Sequence, residues 1–168
     1  AMVLGYWYRQ TQEPRLQPFV SPDSVAERVA PMVFDAAYDG TGNWAFNMAY
    51  AALHGLEAYV TQFGTLQQLA CWLQTGVPII CSLAWKRGEL DHAPVPESSG
   101  HLLVVVGFVD GGAVRVADPA GGGATQVLRT YRADQFLRCW QRHSSGAVYV
   151  VYPPGWQIPP PGADDAWG

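Results

Sequence analysis

The stretch SSGHLLVVVGFVDGGAVRVADPA, residues 98–120, places a histidine at the start of one apolar run and an aspartate at the end of the next. The two runs, residues 102–108 and 113–117, have the composition of buried strands, and turn-forming residues lie between them. This pattern predicts an antiparallel hairpin. The start of its first strand and the end of its second lie at the same end, so the hairpin makes His101 and Asp118 neighbours.

The register of this hairpin decides how close the two side chains come. A three-residue turn sets Asp118 opposite Val104, three positions or roughly 10 Å along the strand from His101. Gly107, in the middle of the strand, is a candidate for a β-bulge that would swing the aspartate toward the imidazole. The pair suggests a general base with its orienting carboxylate. A second interpretation also stands, in which the histidine only ends a strand and the aspartate only caps a turn.

Around the hairpin, helical patterns precede most of the predicted strands. Apolar residues at helical spacing predict helices over residues 44–54, 66–75 and 134–141. Alternating or continuous apolar runs predict further strands over residues 56–63, 77–85, 125–128 and 146–152. Thr65 followed by Gln68 predicts a capping box at the start of the second helix. Together the elements predict an α+β fold, with a helical part followed by an antiparallel sheet.

Composition limits the classes of protein to which the chain can belong. With 168 residues, of which 49% are hydrophobic and 14% charged, the chain can bury one core. We place this domain at residues 1–152 and expect residues 153–168 to form a proline-rich tail or linker. The net charge of −4 is spread along the chain without a basic cluster, so we expect neither a nucleic-acid nor a membrane partner. We expect a monomer.

The cysteines suggest neither a disulfide framework nor a metal site. Cys71, Cys81 and Cys139 are odd in number, lack zinc-ligand spacing and lie in helix or strand patterns, which predicts small buried residues and no metal or cofactor. None lies at an exposed helix start, where a thiolate would be favoured. Ser98 and Ser99 adjoin His101 in the chain and are poorly placed to meet the free nitrogen of its ring. We therefore expect a nucleophile for His101 to lie outside this sequence.

Several stretches resemble the C39-like peptidases, bacterial cysteine peptidases with a papain-like fold. GHLLVVVGF at 100–108 and VADPA at 116–120 resemble the histidine and aspartate segments of that family. Three further stretches support the likeness, which reaches to about residue 152: AMVLGYW at 1–7, YDGTGNWAFNMAY at 38–50 and GVPII at 76–80. The stretch at 38–50 is typical of the stand-alone branch rather than the branch fused to peptide exporters.

This resemblance implies a cysteine peptidase that hydrolyses peptide bonds with a Cys/His/Asp triad. His101 would be the general base and Asp118 its orienting partner. The family's cysteine lies in a Cys-Gly/Ser-Pro-Thr-Ser motif just before a stretch like 1–7, hence upstream of Ala1, and the uncapped start of the first helix agrees with that position. The chain as given would then be inert. The resemblance also implies a peptide or protein substrate and favours a secreted or cell-envelope location.

Two alternatives to a peptidase agree with the same residues. The chain could be a catalytically inactive binding module that keeps the papain-like scaffold, because a fold does not guarantee its usual reaction. It could also be a cell-wall peptide amidase, which would use the same Cys/His chemistry.

Overall fold

The computed structural model describes residues 1–21, 25–37, 39–109, 111–121 and 126–160. Helices dominate the first part of this chain and strands the second, which confirms the predicted α+β class. In chain order the elements are helix α1 (Met2–Thr11), a 3₁₀ helix (Pro14–Val20), a π-helical turn (Val25–Val29), α2 (Ala30–Val33), α3 (Trp44–Leu53), β1 (Glu57–Gln62), α4 (Leu66–Gln74), β2 (Ile79–Trp85), β3 (Ser98–Phe108), β4 (Val114–Ala117), β5 (Leu128–Tyr131), α5 (Ala133–Ser144) and β6 (Ala147–Tyr152).

The first of two compact units comprises residues 1–60 and 150–156. Helix α1 anchors it through Trp7, whose side chain is fully buried and whose indole N–H donates to the carbonyl of Val151 at 2.8 Å. Trp156 packs edge-on against the same indole, with ring centroids 4.9 Å apart. Gly5 allows the 3₁₀ helix to approach, because a Cβ at this position would lie 2.6 Å from the carbonyl oxygen of Phe19.

A polar turn precedes α3 in this unit. Asn43 caps the helix, since its side-chain oxygen accepts from the backbone N–H groups of Ala45 and Phe46. Its amide in turn donates to the carboxylate of Asp35 at 2.6 Å. These bonds fix where α3 begins, whereas the side chain of Trp44 stays 42% exposed.

The second unit comprises residues 61–149 and the described part of residues 157–168. Its first helix, α4, begins with the predicted capping box, in which Thr65 and Gln68 each satisfy a backbone N–H of the other. In its antiparallel sheet β2, β3, β4 and β5 are neighbours in that order, and the first residues of β6 pair with the other edge of β2. Strand β3 lies inside the sheet and pairs antiparallel with β2 and with β4.

The hairpin of β3 and β4 has the bulge that Gly107 suggested. Val105 pairs with Val116 and Gly107 with Arg115, so Val106 is the extra residue on β3. The bulge moves the register by one position, and Val104 is opposite Ala117 rather than opposite the aspartate. A shift of one residue also moves the side chains beyond the bulge to the other face of the sheet, relative to the partner strand.

Two predicted strands differ clearly from the observed ones, whereas the bounds of the other four agree to within about two residues. β3 begins at Ser98, so His101 lies within the strand, paired with Leu83, and not at its entrance as expected. The strand predicted over 125–128 was wrong in its bounds, because β5 runs from Leu128 to Tyr131, where it pairs with β4. Residue 110 of the predicted turn and residue 125 lie outside the described residues.

No helix in the described ranges is both long and apolar enough to cross a membrane.

Candidate functional site

The bulge brings His101 and Asp118 together. With Ala117 opposite Val104, the next residue, Asp118, is carried opposite Leu103, which is two positions from His101 and therefore on the same face of the sheet. In the register expected from the turn alone, the two side chains would lie on opposite faces. Nε2 of His101 lies 2.7 Å from Oδ1 of Asp118, within hydrogen-bond distance.

The carboxylate of Asp118 is fully buried, and both of its oxygens are used. Oδ1 accepts from His101 and from the backbone N–H of Ala120 at 2.9 Å, and Oδ2 accepts from the hydroxyl of Tyr131 at 2.7 Å. Burial alone would raise the pKa of Asp118, but the bonds from His101, Tyr131 and Ala120 outweigh it and lower the pKa. The aspartate is therefore a carboxylate at neutral pH.

Tyr131 was missed by the sequence analysis. It is the last residue of β5 and is 1% exposed. Burial raises its pKa, and the hydrogen bond to Asp118 raises it further, so the phenol remains a protonated donor. The sequence gives little indication of this contact, because the contact depends on the pairing of two strands that a loop separates.

His101 is held from a second side by Trp85. The two rings meet edge to face, with centroids 5.3 Å apart and planes at 89°. Trp85 is itself 2% exposed and donates its indole N–H to the carbonyl of Val95 at 3.2 Å. The imidazole retains 14% exposure, so its ring is fixed in position but still reaches the surface of the unit.

This arrangement defines the chemistry of the imidazole. When Nε2–H donates to Asp118, the proton is on Nε2 and the lone pair is on Nδ1. Among the described residues, Nδ1 has no hydrogen-bond partner. A histidine in this state can accept a proton through Nδ1, and the carboxylate stabilises the imidazolium that forms.

The three cysteines are unsuited to pair with this histidine. Cys81 and Cys139 are fully buried, and burial raises the pKa of both thiols. The thiol of Cys139 also donates to the carbonyl of Glu89. Cys71 was predicted to be buried but is only half-buried. It lies in the interior of α4, away from the helix start, and its sulfur contacts Gln67. Ser98 bonds to the backbone of Gly100 rather than to the imidazole.

A surface groove adjoins the pair through Trp85. It encloses about 790 Å³ and is lined by α5 and by both ends of the loop between β2 and β3, with Lys86 at one end and Glu97 at the other. The Asp91–His92 pair in this loop has a structural role, since Asp91 bonds to Gln135 and the carbonyl of His92 accepts from Arg129. Within the described ranges, no three His, Cys, Asp or Glu side chains could hold a metal ion together.

Comparison with known proteins provides independent information. A sequence profile described as the Peptidase_C39 like family matches residues 1–148. Among solved structures, a protein of Bacillus anthracis assigned to the C39-like peptidases is similar, with a TM-score of 0.45 at 15% sequence identity. That match covers 64% of this chain and 56% of the other, so it spans little more than half of the Bacillus anthracis chain. A comparison with curated proteins found no match.

Proposed function

This chain belongs to the Peptidase_C39 like family, and on that basis we propose that it supplies the histidine and aspartate of a Cys/His/Asp peptidase site. The helices followed by an antiparallel sheet agree with the papain-like α+β fold of that family. In this proposal His101 is the general base, Asp118 orients it, and the nucleophilic cysteine lies upstream of Ala1. The substrate is a peptide or protein.

The contact between Nε2 of His101 and Oδ1 of Asp118 at 2.7 Å carries the proposal. A histidine that only ended a strand would not need a fully buried carboxylate on one nitrogen and a partner-free nitrogen on the other. An aspartate that only capped a turn would need the bond from Ala120 but neither of the bonds from His101 and Tyr131. The geometry therefore favours the catalytic interpretation over the purely structural one.

The proposed reaction proceeds in two steps. The thiol proton passes to Nδ1 of His101, the sulfur attacks the carbonyl carbon of the peptide bond, and the C–N bond breaks. The departing amine takes the proton from Nδ1, which leaves a thioester on the cysteine. Water then loses a proton to Nδ1 and attacks the thioester, and the proton returns to the sulfur as the acid product leaves. Asp118 remains ionised throughout and stabilises the imidazolium.

The positions of the three internal cysteines support an upstream nucleophile. The two buried thiols have raised pKa values and are closed to a substrate, and Cys71 lies on a different element from the histidine strand. A nucleophilic thiol needs a lowered pKa and access to solvent.

Thiol reactivity tests the proposal. In a protein extended by about thirty residues upstream of Ala1, we expect one thiol to react rapidly with iodoacetamide near neutral pH, because an imidazolium partner lowers a thiol pKa to roughly 3.5–7.5. His101→Ala should return this thiol to ordinary reactivity. His143→Ala is the matched control, since His143 is an exposed histidine on α5 without a bond to Asp118.

Two results would contradict the proposal. A thiol whose reactivity is the same in wild type, His101→Ala and His143→Ala would show that no thiolate–imidazolium pair forms. A serine, glycine or alanine at the expected cysteine position upstream of Ala1 would instead favour a binding module without catalysis.

A further inference from the structure

The hydroxyl of Tyr131 is a polar group placed in the interior of the second unit. The residue is 1% exposed, and its oxygen donates to Oδ2 of Asp118 at 2.7 Å. A phenylalanine would fill the same space with almost the same apolar surface. A buried hydroxyl is unfavourable unless it is hydrogen-bonded, and here its bonding partner is the carboxylate that faces His101.

This bond fixes the orientation of the carboxylate. With Oδ2 held by Tyr131, rotation of the carboxylate is opposed, and Oδ1 stays directed at Nε2 of His101 and at the N–H of Ala120. In all three contacts an N–H or O–H group donates to the carboxylate anion. Such hydrogen bonds are shorter and stronger than those between neutral groups. Without the phenol hydroxyl, Oδ2 would remain buried and would lose the hydrogen bond from Tyr131.

We propose that Tyr131 is a positioning residue that acts through Asp118, orienting its carboxylate so that His101 keeps its proton on Nε2 and its lone pair on Nδ1. Tyr131 touches none of the reacting atoms. Its role in catalysis rests on the function proposed above, but its effect on the protonation of Asp118 can be measured without any substrate.

Charged and titratable groups near this carboxylate lie on the neighbouring strands. His101 faces it from β3 and Tyr131 from β5, and Arg129 on β5 is close enough to Tyr131 to oppose the rise in the pKa of that phenol. The bond from Tyr131 is one of those that lower the pKa of Asp118. Its removal should therefore raise the pH at which Asp118 takes up a proton.

The test is Tyr131→Phe, with Tyr149→Phe as the matched control. Tyr149 is also 1% exposed and lies on β6, so both variants lose one buried hydroxyl and keep the ring. Carbon-13 NMR of the Asp118 carboxyl and nitrogen-15 NMR of the His101 ring are recorded against pH. We expect Tyr131→Phe to raise the midpoint for Asp118 by about one pH unit, the effect of losing a hydrogen bond to a charged group.

In the same spectra the share of the Nε2–H tautomer of His101 should fall in Tyr131→Phe and stay at the wild-type value in Tyr149→Phe. In the extended protein, kcat should fall about tenfold with KM unchanged, because the phenol supports the imidazolium and does not bind substrate. The effect on kcat should be absent in the control.

An unchanged Asp118 midpoint and tautomer ratio in Tyr131→Phe would overturn the positioning role. An equal change in both variants would overturn it as well, since a general loosening of the core would then explain the effect. A shift confined to Tyr131→Phe supports the positioning role even in a protein that hydrolyses no peptide, and in that case only the proposed function fails.

Discussion

Replacing Asp118 by alanine should destabilise the protein well beyond the loss of a surface charge. The change removes the acceptor of three hydrogen bonds, those from His101, Tyr131 and Ala120. His101 retains some exposure and can turn to water, but the hydroxyl of Tyr131 is buried and loses its partner. A buried donor left unsatisfied costs about 1–3 kcal/mol, and hydrogen bonds to a charged group contribute about 1.5–3 kcal/mol. We expect a total loss of about 3 kcal/mol in the free energy of unfolding.

Urea unfolding followed by tryptophan fluorescence measures this loss as a lower midpoint at unchanged slope. The matched control is Asp118→Asn, which keeps an oxygen for His101 and Ala120 and should cost only about 1 kcal/mol, within the range of a single hydrogen bond. A loss in Asp118→Ala below about 0.5 kcal/mol, the range of an ordinary surface substitution, would show that the three bonds to Asp118 do not stabilise the fold. Equal losses in the two variants would do the same.

Burial would raise the pKa of Asp118, but its hydrogen bonds lower this pKa below the unfolded value of about 3.9. The ionised carboxylate therefore stabilises the fold above about pH 4, and this stabilisation is lost as the pH falls. The gap in unfolding free energy between wild type and Asp118→Asn should therefore narrow from pH 6 to pH 3. Gly146→Ala should unfold at a much lower urea concentration than Gly88→Ala. Both glycines have positive φ, but only at Gly146 would a Cβ lie 2.0 Å from the carbonyl oxygen of Phe63. Equal unfolding midpoints of the two variants would contradict this prediction. Trp7→Ala should cost about 3–5 kcal/mol in thermal or urea unfolding, as for a fully buried tryptophan, and a loss under 1 kcal/mol would show that α1 is not packed as described.

Local signals in the sequence predicted local structure well. The capping box of Thr65 and Gln68 lies within four residues, so its hydrogen bonds need no distant partner, and α4 begins where it was predicted. The hairpin was predictable for the same reason, because the strands and the turn are consecutive. Gly107 also suggested the bulge that sets the register of β3 and β4.

Features that depend on distant pairing were missed. The alignment of β3 with β2 carries the strand back to Ser98, and nothing in a run of small polar residues predicts that pairing. β5 was placed too early because its position is set by pairing with β4, and its sequence LRTY has no clear apolar pattern. With β5 misplaced, Tyr131 fell outside the predicted strand, so its bond to Asp118 could not be foreseen.

We propose that His101 and Asp118 serve a nucleophile upstream of Ala1. The most direct test compares peptide hydrolysis by this chain, by the protein extended by about thirty residues upstream, and by the extended protein carrying His101→Ala. Only the extended protein should hydrolyse peptides, and its turnover should be retained when Cys71 is replaced by serine. The rate should fall on the order of a million-fold in the chain without the nucleophile. Equal turnover by the chain and by its extended form would show that His101 and Asp118 do not serve an upstream nucleophile.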